Sequence, residues 1–102
     1  MPLRITRWTG ATPPTRAELE EQFFREELFP YEWSNAPGDV YAAHVHDFDK
    51  VLVVVQGSIT WRLPETGEVI ETGAGDRLDL PRGTWHSARV GPQGIVCLEG
   101  HP

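Results

Sequence analysis

The sequence predicts an all-β protein, a sandwich or barrel of short strands with a short N-terminal helix. Three observations support this prediction. The chain has 102 residues, which is enough for one hydrophobic core and too few for a second. A helical pattern occurs only before residue 31. After it come short segments of β-type composition separated by glycine and proline, a spacing typical of sandwiches and barrels.

The N-terminal part, residues 1–34, is expected to form an arm of one strand and one helix. Residues 35–102 are expected to form the barrel, and the two parts together make one structural domain. Alternating apolar and polar residues predict a half-buried strand within 3–8.

A single helix is predicted over residues 16–28. Thr15 and Glu18 have the spacing of a capping box, in which each residue satisfies a free backbone amide of the other. Pro30 is expected to end the helix, because proline disfavours helical geometry in the residue before it. The apolar face of the helix is expected to consist of Leu19, Phe23, Phe24 and Leu28.

Eight short strands are predicted after the helix. Glycines are assigned to the turns between them, since such positions often require a positive φ. Gly57 and the segment Gly91–Gly94 are therefore expected to separate strands. The predicted segments are 31–35, 39–46, 49–56, 58–63, 68–72, 77–80, 85–90 and 95–99.

Composition and charge argue against two classes of partner. The net charge is -6, whereas nucleic-acid binding needs clustered positive charge, so no nucleic-acid partner is expected. The longest apolar stretch, Val51 to Val55, is far too short to span a membrane, and no secretion signal is recognisable. The single cysteine, Cys97, cannot form an internal disulfide. A cytoplasmic location is the expectation.

Three histidines are the candidate functional residues. His44 and His46 lie two residues apart on a predicted strand, which places them on the same face. His86 lies near the start of a later strand. Imidazole is the commonest metal-ligating side chain, and histidines from neighbouring strands can converge inside a barrel. The alternative is that they are ordinary core or surface histidines.

The spacing around these histidines is that of a two-part motif. Gly38, His44-Val45-His46, Lys50 and Gly57 are separated by five, three and six residues. Gly75 and Pro81-Arg82-Gly83 are separated by five residues, and His86 follows after two more. This pattern resembles the signature of the cupin superfamily, over about residues 35–100. The resemblance implies a cupin-type jelly-roll barrel.

The resemblance also implies a metal site. Many cupins hold a divalent metal through three histidines and a glutamate, and some manage with three histidines. Here Lys50 stands at the glutamate position and Val90 at the usual asparagine position. The implied ligands are His44, His46 and His86, and the metal would be zinc, iron, manganese or nickel. Asp47 and Asp49 are alternative oxygen donors, interpreted as solvated.

Lys50 is the candidate catalytic residue. An exposed surface lysine is the ordinary interpretation, but Lys50 is the only lysine and opens the apolar strand Val51 to Val55 at a motif position expected to face inward. Inside a barrel its pKa would fall by desolvation. It would then serve as a base, an amine nucleophile or a donor to an anionic ligand. His101, near the C-terminus, is expected to be inert.

Two functions remain open at this stage. The first is a metal-binding protein for a small molecule, for example an oxygenase, an isomerase or a similar enzyme. The second is a non-catalytic module that binds a small ligand or serves as a dimeric scaffold, having lost the glutamate. A homodimer is expected in either case, because a small core gains from burying a second surface and strand residues such as Trp61 and Val53 offer one.

Overall fold

The computed structural model describes residues 1–102 and contains seven strands and one helix. No long helix follows residue 35, so the all-β prediction is confirmed. The ten-residue helix is too short to cross a membrane. In chain order the elements are β1 (Arg4–Thr6), α1 (Arg16–Arg25), β2 (Tyr31–Asn35), β3 (Val40–His44), β4 (Lys50–Leu63), β5 (Glu68–Gly73), β6 (Arg77–Leu80) and β7 (His86–Gly100).

Two long strands, β4 and β7, run through both layers of the barrel. All strand pairs are antiparallel. The first part of β4 lies between β6 and the last part of β7, and β1 and β2 extend this layer. The second part of β4 lies between β5 and the first part of β7, which also pairs with β3. The N-terminal strands β1 and β2 are thus hydrogen-bonded into the sheet.

The prediction that glycines separate β4 and β7 into four strands is wrong. Each remains one strand, and the register shifts on either side of Gly57 mark a bulge where β4 bends. Gly57 and Gly94 have φ values of 82° and 79°. A side chain on Gly57 would place its Cβ 2.0 Å from the carbonyl oxygen of Gly94. The glycines therefore permit a bend rather than a reversal of the chain.

The core lies between the two layers. Alternate residues of β4, such as Leu52 and Val54, face this interior, whereas Val51 and Val53 face outward. The helix covers the outward face of β4 and β7 with Leu19 and other apolar residues. Because Lys50 alternates in step with Leu52 and Val54, the strand geometry directs Lys50 inward.

The helix ends at Arg25, three residues before its predicted end. A Schellman motif stops it: the N–H of Leu28 donates to the carbonyl oxygen of Phe23 at 2.9 Å, and Glu27 takes the left-handed φ of 59°. Pro30 therefore does not end the helix. The turn brings Leu28 back onto Phe23 and leaves Phe24 exposed, so the expected apolar face is right except for Phe24. The predicted capping box of Thr15 is present.

Candidate metal centre

Three histidines meet at one end of the barrel interior. His44 is the last residue of β3 and pairs with His86, the first residue of β7. His46 lies beyond the end of β3, and its carbonyl oxygen accepts from the N–H of Gly83 at 2.9 Å. This bond joins the two parts of the sequence motif. The potential ligand atoms of the three imidazoles lie within 4.8 Å of one another, so the predicted convergence is present.

Backbone carbonyls orient two of the rings. Nδ1 of His44 lies 2.7 Å from the carbonyl oxygen of Ala42, and Nδ1 of His86 lies 2.8 Å from that of Thr84. A carbonyl only accepts, so Nδ1 is the N–H donor in both rings and Nε2 of the neutral imidazole keeps its lone pair. Nε2 of His86 is buried and has no hydrogen-bond partner. Metal-ligating histidines typically show this arrangement, in which the second nitrogen is tied to an oxygen.

Burial favours the neutral form of two of these histidines, His46 and His86. Desolvation, with smaller effects from His44 and Lys50, lowers the pKa of His86 to about 4 despite its bond to Thr84. Desolvation and the charge of Lys50 also lower the pKa of His46. Because only the neutral imidazole can donate a lone pair to a metal, His46 and His86 are in their ligating form at neutral pH.

Lys50 faces the same interior as the histidines. The residue is 8% exposed and lines a cavity together with all three imidazoles. Its Nζ lies 3.9 Å from Oε1 of Glu99. Desolvation lowers the pKa of Lys50, and the negative charge of Glu99 partly opposes this effect. The inward orientation expected from the motif is observed, although Lys50 has a partner that was not anticipated.

Glu99 is the important residue that the sequence analysis missed. It is 5% exposed, and its carboxylate accepts hydrogen bonds from Tyr31 Oη, from Trp33 Nε1 at 3.0 Å and from His101 Nε2 at 2.7 Å. Burial alone would raise its pKa, but these bonds and the charge of Lys50 outweigh burial and lower the pKa. His101 is thus not inert, because it helps to hold this carboxylate.

A carboxylate donor from the loop before β4 is not part of the cluster. Asp47 is exposed. Asp49 accepts from the backbone N–H of Arg82 at 2.8 Å and so stabilises the turn that leads to His86. The potential metal ligands that converge are the three histidines alone.

The cavity has a volume of about 390 Å³ and aromatic walls. Its size lies within the range of small-molecule sites. Trp61, expected to offer a surface for a homodimer, instead is buried between the core and the cavity, and its Nε1 donates to Thr72 Oγ1 at 3.2 Å. The apolar lining residues are Tyr31, Trp33, Tyr41, Phe48 and Trp61.

Comparison with known proteins supports the fold assignment. No protein-family model matches the sequence, and no curated protein shows significant similarity to it. Solved structures do match. An RmlC-like cupin from Shewanella frigidimarina NCIMB 400 superposes with a TM-score of 0.62 at 23% identity, over 72% of this chain and 64% of that chain.

Two further structures extend this likeness. A DUF861 family protein from Thermotoga maritima has a TM-score of 0.66 at 16% identity, over 99% of this chain and all of that one. The polyketide cyclase RemF from Streptomyces resistomycificus has a TM-score of 0.63 at 26% identity, over 72% of this chain and 54% of that chain. The fold and the interior histidine cluster define a cupin-type barrel protein. The chain has the cupin fold.

Proposed function

We propose that the protein holds a divalent transition metal through His44, His46 and His86 and uses it on a small molecule bound in the adjacent cavity. The observation that carries this proposal is Nε2 of His86, a buried atom with a free lone pair and no protein partner. An unpaired buried polar atom is costly unless a ligand satisfies it. Imidazole donors suit zinc, iron and nickel, whereas manganese prefers oxygen donors.

A site with three protein ligands leaves coordination positions for substrate and water. When bound, the metal would supply Lewis-acid catalysis or oxygen activation, as an isomerase or an oxygenase requires. The similarity to RemF, a polyketide cyclase, supports an enzymatic role within this fold. We further propose Lys50 as a catalytic residue that donates to, or exchanges a proton with, the bound molecule, since its Nζ lies in the same cavity.

Metal analysis tests this proposal directly. Protein purified without an affinity tag and dialysed against zinc or manganese is expected to retain about one ion per chain by elemental analysis. His86→Gln should lose the ion, because it removes the Nε2 lone pair. His101→Gln is the matched control, since His101 lies outside the cluster, and it should retain the ion. Equal metal content in all three proteins, or none in the wild type, would refute the proposal.

The second candidate function is a non-catalytic module that binds a small ligand. The observation that favours it is Lys50, whose ammonium lies in the cavity where the cupin resemblance implies a metal-binding carboxylate. A cation at this position opposes a second cation. Under this alternative the wild-type protein should contain no metal yet still bind small molecules in the cavity.

A further inference from the structure

The ammonium group of Lys50 has hydrogen-bond donors that the protein does not use. An ammonium carries three N–H donors. The nearest carboxylate oxygen, Oε1 of Glu99, is 3.9 Å from Nζ, which is beyond hydrogen-bond distance. No protein acceptor lies closer in a hydrogen-bond geometry, although the side chain is largely buried. These donors are therefore available to an acceptor group on a bound molecule.

Glu99 compensates the charge of Lys50 without occupying its donors. The carboxylate oxygens of Glu99 are already engaged by Tyr31, Trp33 and His101. Because these three contacts fix the carboxylate, Glu99 cannot readily move the remaining distance to Lys50. The Lys50–Glu99 pair thus has nearly zero net charge while it keeps a charged ammonium inside the barrel. The N–H groups of this ammonium have no acceptor at hydrogen-bond distance.

The charge of the loaded site favours an anionic ligand. This step rests on the proposed function. The charges of Lys50 and Glu99 cancel, and an imidazole that ligates a metal is neutral, so a bound divalent ion would leave the cavity with two uncompensated positive charges. In a site with a glutamate ligand the protein itself would supply a negative charge, but here that position carries Lys50. The missing negative charge must come from the bound molecule or from solvent.

The walls of the cavity select for shape. Every apolar side chain that lines it is aromatic. The rings of Trp33 and Tyr41 pack edge to face, with their centroids 6.0 Å apart. Phe48 lies at the same cavity, 4.9 Å from the ring of His46. Flat aromatic faces make their most favourable contacts with another planar π-system. Walls of branched aliphatic side chains would instead accommodate a planar and a saturated molecule equally well.

We propose that the cavity binds a small planar, conjugated carboxylic acid, with its carboxylate on Nζ of Lys50 and its planar body against the aromatic walls. Lys50 is then the residue that determines specificity for an acid over a neutral analogue. A hydrogen bond between an ammonium and a carboxylate is charge-assisted and about twice as strong as a neutral one.

Three probe molecules separate charge from shape. Benzoate is planar and anionic, benzamide is planar and neutral, and cyclohexanecarboxylate is anionic but not planar. Isothermal titration of the zinc-treated full chain should give at least tenfold tighter binding of benzoate than of benzamide and measurably tighter binding than of cyclohexanecarboxylate. Equal affinities for benzoate and benzamide would overturn the proposal without recourse to any variant.

Two variants assign the preference to Lys50. Lys50→Met should weaken benzoate binding at least tenfold and benzamide binding less, because the benzamide carbonyl oxygen can also accept from Nζ but carries no charge. The double variant Lys50→Met/Glu99→Gln removes both charges and so avoids leaving a buried unpaired carboxylate, and it should show the same loss. Unchanged benzoate affinity in a folded variant would overturn the assignment.

Zinc content measured on the same samples separates this inference from the proposed function. A benzoate preference that depends on Lys50 in a protein without zinc would support the ligand class and refute the metal site. Retained zinc without that preference would refute the ligand class and leave the metal site standing.

Discussion

Replacing Glu99 by glutamine removes one charge while it preserves the surrounding hydrogen bonds. The amide oxygen of glutamine can accept from Trp33 Nε1, and its NH₂ group can donate to Tyr31 Oη and to a neutral His101. Lys50 would then lose its counter-charge at 3.9 Å. At an effective dielectric of about 20, Coulomb's law gives about 4 kcal/mol for this pair. We expect Glu99→Gln to lower the free energy of unfolding by about 3 kcal/mol, because partial deprotonation of Lys50 limits the cost.

Urea denaturation at pH 7, followed by tryptophan fluorescence, measures this loss. Removing both charges should cost much less than breaking the pair, so the double variant Lys50→Met/Glu99→Gln completes a double-mutant cycle. We expect the two single losses to exceed the double loss by at least about 2 kcal/mol. If Glu99→Gln costs less than about 1 kcal/mol, or if the single losses simply add, the pair does not stabilise the fold as argued.

Three other predictions follow from the site and the surface. The metal-free protein should lose about 3 kcal/mol of unfolding free energy between pH 6.5 and pH 4. The pKa of His86 is about 4 in the folded protein and 6.5 ordinarily, so the unfolded chain binds more protons in this window and acid favours unfolding. In urea titrations, His86→Gln should flatten the dependence of unfolding free energy on pH, and an unchanged dependence would contradict this prediction. Lys50→Glu should raise zinc affinity at least tenfold by calorimetry, since it replaces a repelling charge with a ligand; equal affinity would place Lys50 outside the metal's reach. The protein should be a homodimer by light scattering, because exposed apolar residues such as Val40, Val69 and Trp85 remain available for contact; a monomer mass at micromolar concentration would count against this.

The histidine cluster was predictable because a recognisable two-part sequence motif contains all three residues. The glycine and proline positions of the motif impose turns, and the ring centroids of His44 and His46 lie 4.8 Å apart although His46 lies beyond the end of β3. The turn at Gly83 then brings His86 beside them through its bond to His46. Each of these relations involves neighbours in sequence or a recognisable motif, so the sequence alone was sufficient.

Glu99 was not predictable for the opposite reason. In the last part of β7 both faces are apolar. Ile95 and Cys97 lie on one face, and Val96 and Leu98 alternate with them on the other. A period of two therefore places Glu99 on the face of Ile95 and Cys97 but does not reveal whether that face lines the barrel interior. Its partners Tyr31 and Trp33 come from β2, more than sixty residues away in the chain. Only the strand pairing brings these groups together.

The continuous long strands were likewise hidden by composition. Gly57 has the φ value of a turn residue, and a turn was the reasonable expectation for it. Whether a positive φ reverses the chain or merely bends it depends on what the strand pairs with beyond that point. Here β4 keeps the same neighbour, β7, on both sides of the bulge. This pairing is a tertiary contact, and no feature of the local sequence around Gly57 indicates it.

The sharing of β4 and β7 by both layers has a consequence for the order of folding. Partners such as Val51 and Gly100 are about fifty residues apart, and chains dominated by such distant contacts fold slowly, in milliseconds to seconds. The histidines gather only when β3 and the start of β7 have joined this pairing. A metal would therefore encounter its three ligands late in folding. It would prolong the lifetime of the folded protein by slowing unfolding, and it would do little to accelerate folding.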